Sequence, residues 1–94
     1  MPYQLAIGPA AEKEWARLDK RVKTRFKAKL SERLENPRMA SAALSGSPDL
    51  YKIKITTPQF RLVCHVDDAH ERLTILAVTS RDDVYDVLAN RLKK

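Results

Sequence analysis

Three short runs of alternating residues, set close together between positions 51 and 78, constrain this chain more than any other feature it has. In the first, Tyr51, Ile53 and Ile55 alternate with Lys52 and Lys54; in the second, Phe60, Leu62, Cys64 and Val66 alternate with Arg61, Val63 and His65. The third sets Leu73, Ile75 and Ala77 against Thr74, Leu76 and Val78, apolar on both sides, as a strand in the middle of a sheet is. Such a period of two belongs to strands, and Thr57-Pro58 and the charged run Asp67 to Glu71 turn the chain between them. The stretch therefore reads as a three-stranded antiparallel meander.

What precedes it has a different period. Tyr3, Leu5 and Ile7 alternate with Gln4 and Ala6, predicting a first strand over Pro2 to Ile7 that Gly8-Pro9 ends. Ala11, Trp15, Leu18 and Val22 then recur at helical spacing, with proline in a first turn that tolerates it. Asp19 is placed to cap a second helix with the stripe Val22, Phe26, Leu30 and Leu34, which makes the segment a helical hairpin rather than one rod. Asn36-Pro37 stops it, because the residue before a proline is driven out of the helical region. Residues 38–50, small and polar with Gly46 and Pro48, read as a loop. After the strands, Ser80 to Asp83 has the form of a capping box, and Val84, Leu88 and Leu92 continue as the stripe of a short C-terminal helix. Helices bunched early and strands bunched late give an α+β fold. Its antiparallel sheet has the meander plus the N-terminal strand as four strands, with the helices on one face.

At 94 residues the chain is expected to be one domain, 1–94, with one core. It shows no apolar run near the roughly 20 residues of a membrane helix and no charged, apolar leader, so no membrane partner is expected and the cytoplasm is the expected compartment. One cysteine, Cys64, and two histidines, His65 and His70, make no zinc-ligand set. Nor does the sequence contain a Gly-rich phosphate loop, paired catalytic carboxylates or a Ser/His/Asp set, so no cofactor is implied.

The charge is more informative. Eighteen Lys and Arg against 12 Asp and Glu leave a net +6, and ten of those cations fall within residues 11–38 beside five acids. This stretch reads either as a solvated helix face laced with i,i+4 pairs or as a surface for phosphates. In the sheet, helices covering the Tyr51, Ile53 and Ile55 side leave Lys52, Lys54 and Arg61 together on the other, and Arg81 follows the third strand toward the same place. Outward lysines are one way to protect an edge strand. The second reading is a cationic pocket for a phosphodiester, in which arginines stabilise the transition state and one lysine, crowded by like charges, gives up a proton to act as a general base. Tyr85 is placed either to pack in the core or to stack on a base. Cys64 alternates with core residues and reads as a buried structural thiol; His65 and His70 read as hydrogen-bonded strand and turn residues.

Several of these residues form a familiar set: Glu14-Trp15, Leu34 to Arg38, Leu44 to Gly46, Asp49 to Ile55, Phe60 to Val63, and Arg81 before a terminal helix. The set resembles the RelE branch of the RelE/ParE toxin superfamily, over nearly the whole chain. The resemblance implies a fold like that of the microbial ribonucleases. It also implies a type II toxin acting as an endoribonuclease that cuts mRNA in the A site of the 70S ribosome, through attack of a ribose 2′-OH on the adjacent phosphate to leave a 2′,3′-cyclic end. On that footing Lys52 and Lys54 match the family's lysine pair, with Lys54 as the base. Arg61 braces the phosphate, Arg81 stabilises charge at the leaving oxygen, and Tyr85 orients the substrate base. The implied partners are a RelB-like antitoxin and, through it, operator DNA. A ParE-like toxin that binds DNA gyrase without cutting RNA is the alternative within the superfamily, and a non-catalytic RNA-binding module is a third. Four cations without a histidine or carboxylate pair bind RNA better than they cleave it, so weak activity on free RNA is expected unless the ribosome aligns the 2′-OH.

Overall fold

A computed structural model describes residues 3–38, 49–56 and 59–80. The alternating runs form the expected meander: β2 (Leu50–Thr56), β3 (Gln59–Asp67) and β4 (Arg72–Thr79) pair antiparallel in sequence order. The N-terminal strand, β1 (Gln4–Ile7), joins the far side of β4, so the order across the sheet is β1-β4-β3-β2 and β4 lies inside it. The pairing corrects one expectation, because β1 runs parallel to β4 and the sheet is mixed. Chain length supplies the reason. The 16 residues of α2 (Lys20–Glu35) span about 24 Å at helical rise, which returns the chain to the end where β1 began, so β2 sets out in the direction of β1.

The helical hairpin forms as its stripe requires. α1 (Pro9–Ala16) starts with proline in its first turn and buries Ala11 completely. α2 buries Val22, Phe26 and Leu30 and half-buries Leu34. Trp15 of α1 meets Phe26 of α2 with ring centroids 6.1 Å apart and planes tilted by 42°, locking the two helices at their shared apolar face. Asp19 sits in extended backbone at the head of α2, yet its carboxylate makes no capping hydrogen bond. The first turn of α2 has no acid, and Lys20, Arg21 and Lys23 stand there against the positive end of the helix dipole. At the other end Asn36 closes the helix, and the N–H of Tyr3 donates to the Leu34 carbonyl at 2.8 Å, satisfying one of the last unpaired carbonyls.

The core lies between the hairpin and the sheet, where Tyr51, Ile53, Ile55, Leu62, Cys64, Val66, Leu73, Ile75 and Val78 meet the helical stripe. Here the sequence-based parity of β4 fails. Val63 pairs with Ala77 and Cys64 with Ile75, so Leu76 bulges from the ladder, and the faces swap after it. Val78, expected on the open face, is buried in the main core, and Ala77, expected in the core, packs with Leu50 and Val63 in a smaller cluster on the opposite face. Val63 and Ala77 are fully buried and Leu76 half-buried. Of the expected loop over 38–50, residues 39–48 lie outside the described residues, as do the C-terminal helix, Arg81 and Tyr85, and Leu50 already belongs to β2.

Candidate active site

The sheet face away from the helices places three of the five candidate residues together. With Tyr51, Ile53 and Ile55 buried on the helix side, Lys52 and Lys54 project from the other, about 6–7 Å apart along β2. Lys54 is the direct cross-strand partner of Arg61, and Arg61 in turn of Thr79 on β4. A row Lys54, Arg61, Thr79 thus crosses three strands, with Lys52 one step to the side, opposite Val63. Lys54 is exposed, and Lys52, Arg61 and Thr79 are half-buried. Like charges directly opposite each other destabilise a sheet, and neither lysine forms an ion pair among the described residues.

The helices hold this face from behind at two points. β2 is the outer strand, so its alternate carbonyls face away from β3 and need another donor; that of Lys52 receives the Arg33 guanidinium of α2 at 3.2 Å. On β4, the N–H of Val78 donates to the Glu14 carboxylate of α1 at 3.1 Å.

The other titratable groups stand apart from the row. Cys64 is buried on the core side, its thiol donating to the Tyr51 carbonyl at 3.6 Å. Burial pushes that thiol up to about 11, against a smaller opposing effect of the Arg33 charge, so it is a poor nucleophile. His65 pairs with Leu50 and Thr74, four residues along β3 from Arg61 and roughly 13 Å away. His70 sits in the turn with Nδ1 2.8 Å from Asp67, whose carboxyl it holds below the usual range. No group of His, Cys, Asp and Glu able to hold a metal ion occurs among the described residues.

One cluster escaped the sequence reading. Arg38, just past the end of α2, donates to Asp68 in the β3–β4 turn (2.9 Å) and to Asp49 at the head of β2 (2.9 Å), with a longer contact to the Tyr51 hydroxyl at 3.4 Å. Tyr3 donates its hydroxyl to the same Asp68. These side chains tie the start of the chain, the end of α2, the head of β2 and the hairpin at one corner. Neither spacing nor period signals it, since Arg38 lies 11 residues from one carboxylate and 30 from the other.

A sheet face bearing two lysines and an arginine carries the charge and the hydrogen-bond donors that a phosphodiester backbone requires of a site. The family described as the ParE toxin of the type II toxin–antitoxin system parDE matches residues 5–85. The mRNA interferase toxin RelE of Escherichia coli K12 is 37% identical over 94 residues, covering 98% of this chain and 99% of that protein. Among solved structures, the free E. coli toxin RelE with two arginines replaced by alanine superposes with a TM-score of 0.89 at 36% identity, over 98% of this chain and 99% of that one. The toxin–antitoxin complex RelBE of E. coli matches at a TM-score of 0.81 and 38% identity, over 85% of this chain and 98% of that one. The chain belongs to the RelE/ParE family of type II toxins.

Proposed function

We propose that this chain is a ribosome-dependent mRNA endoribonuclease, neutralised by a RelB-like antitoxin. The observation that carries the reading is the Lys54–Arg61 cross-strand pair with Lys52 on the same face. Likeness to an mRNA interferase over nearly the full chain supports it, and likeness to a toxin held in complex with its antitoxin supports the partner. In the reaction, Lys54 in its neutral form takes the proton of the ribose 2′-OH. The oxygen attacks the adjacent phosphorus, the bond from phosphorus to the 5′-oxygen breaks, and that oxygen leaves as a hydroxyl once protonated. The products are a 2′,3′-cyclic phosphate and a free 5′-OH. Arg61 and Lys52 hold the phosphate oxygens and oppose the charge that builds on them. Arg81 at the leaving oxygen and Tyr85 against the substrate base complete the set, by resemblance to the family.

The ribosome supplies alignment of the 2′-OH, and the basic α2, with seven cations and two acids, lies against ribosomal RNA. Work on translating ribosomes places the protein in the cytoplasm, and repression at operator DNA is reached through the antitoxin. The family's ParE name favours a second reading, a toxin that binds gyrase. A pure binding toxin has no need of a lysine pair facing Arg61.

The experiment is to add the protein to a translating bacterial extract and map new messenger 5′ ends by primer extension, beside Lys54→Ala and a reaction lacking ribosomes. Cuts within A-site codons that need ribosomes, and that slow by roughly 10²–10⁴-fold in Lys54→Ala, are the expected result. Intact messenger from folded protein overturns the reading in favour of gyrase.

A further inference from the structure

The hydrogen-bond phase of the β2–β3 ladder brings the side chains of Lys54 and Arg61 closer than their register alone conveys. Val66 donates its N–H to the Asp49 carbonyl at 2.9 Å, which makes these two a hydrogen-bonded pair. Counting on in twos, Tyr51–Cys64, Ile53–Leu62 and Ile55–Phe60 are hydrogen-bonded pairs as well, and Lys54–Arg61 falls between them as a non-hydrogen-bonded one. The Lys52 carbonyl, turned outward to Arg33, fits the same count. In such a pair the backbones approach to about 4.5 Å and the two side chains rise from the same face side by side. Lys52, one step along the strand, completes a triangle of cations. Opposing charge is distant: Asp67 is the only carboxylate in the four strands, six residues along β3 from Arg61 or roughly 20 Å, and His70 engages it. Lys54 is exposed, so its amine is open to a reagent as well as to a substrate.

We propose that this face is a modification site for acyl phosphates, in which Lys52 and Arg61 hold the phosphate and Lys54 takes the acyl group. An acyl phosphate joins the dianionic head that such a cluster attracts to an acyl carbon one oxygen away, where an amine attacks it. Arg61 makes further contacts, and its five N–H donors leave it able to receive a phosphate oxygen as well. In the step, the nitrogen of neutral Lys54 forms a bond to the acyl carbon and the bond from that carbon to the phosphate oxygen breaks. The phosphate leaves with the electron pair and takes up the proton that the nitrogen loses. An amide and inorganic phosphate result. The amide carries no charge and cannot act as a base, so the acylated protein loses a cation from the triangle and the proton acceptor assigned to Lys54. That loss of cleavage rests on the nuclease reading; the acylation does not. The lysines of α1 and α2 lack the arrangement, because side chains radiate from a helix whereas cross-strand neighbours point the same way.

The test is to incubate the folded chain with acetyl phosphate and follow acetylation of each lysine by peptide mass spectrometry, beside a parallel reaction with acetic anhydride, which carries no phosphate. With acetyl phosphate, Lys54 is expected to react roughly tenfold or more faster than the exposed helical lysines Lys13, Lys20, Lys27 and Lys29. Inorganic phosphate removes that excess by competition, and Arg61→Ala abolishes it. With acetic anhydride Lys54 shows no comparable excess, and Arg61→Ala changes nothing. Equal rates at Lys54 and the helical lysines overturn the proposal, as does an excess of the same size with both reagents, which is reactivity without a phosphate site. Should Arg61→Ala fail to fold, competition by phosphate on the wild type decides, and an excess that phosphate leaves untouched is fatal. Cleavage on programmed ribosomes is then expected to fall in proportion to Lys54 occupancy; full cleavage by fully acetylated protein overturns the regulatory consequence. If the unmodified chain cuts nothing, the nuclease reading falls, and the mass spectra alone decide whether the face takes acyl groups.

Discussion

Lys54 and Arg61 face each other across adjacent strands, a placement of like charges that a sheet resists. The shape of the arginine matters as much as its charge. A guanidinium offers a flat fork to two oxygens at once, whereas an ammonium offers one centre, so Arg61→Lys is expected to lower the saturating cleavage rate roughly tenfold or more. Sedimentation with ribosomes, which responds to overall charge, is expected to be unchanged. The positions of Lys52, Lys54 and Arg61 were readable from residue types alone, because β2 and β3 keep an unbroken period of two beside an apolar partner face. Thr79 was not. Both faces of β4 are apolar, so an extra residue at Leu76 leaves no trace in the pattern, and a parity read through it comes out reversed.

Among the elements, the β3–β4 hairpin holds the clearest local strain. Glu71 closes its turn with φ at 49°, in the left-handed region that a side chain disfavours. Glu71→Gly is expected to stabilise the fold by about 0.5–1 kcal/mol, the relief of that conformation less the added freedom of the unfolded chain, measured as a raised urea midpoint at unchanged slope. The helical hairpin shows what an element's sequence reveals and what it conceals. The stripe Val22, Phe26, Leu30 and the break at Asp19 announced two helices, since both are local. The parallel entry of β1 into the sheet depends on where α2 delivers the chain, which no local pattern records.

The molecule as a whole is tied at the corner where Arg38 meets Asp49, Asp68 and Tyr51, and where Tyr3 meets Asp68. Hydrogen bonds from Tyr3 and then Arg38 hold the Asp68 carboxyl below its usual range, and the bond to Asp68 holds the Tyr3 phenol above its usual value. For the carboxyl, the unfolded chain binds the proton more tightly, so its contribution is complete above about pH 4 and is lost as pH falls through the lower folded value. For the phenol the folded state binds more tightly, so its contribution is complete below about pH 10 and is lost as pH rises through the higher folded value. Melting temperature recorded across this range is expected to fall at both ends in the wild type and less steeply at both in Asp68→Asn. Some acid loss persists in that variant, because His70 depresses Asp67 as well.

The pairing of β1 with β4 also sets an order in time. Tyr3 and Asp68 are 65 residues apart, and synthesis at roughly 5–20 residues per second leaves the first strand waiting several seconds for the strand that receives it. A half-made chain can have its helices and even its lysine strand, but neither a closed sheet nor Thr79 beside Arg61. Both arrive with β4, so the toxin's own birth is the interval in which its candidate site is incomplete.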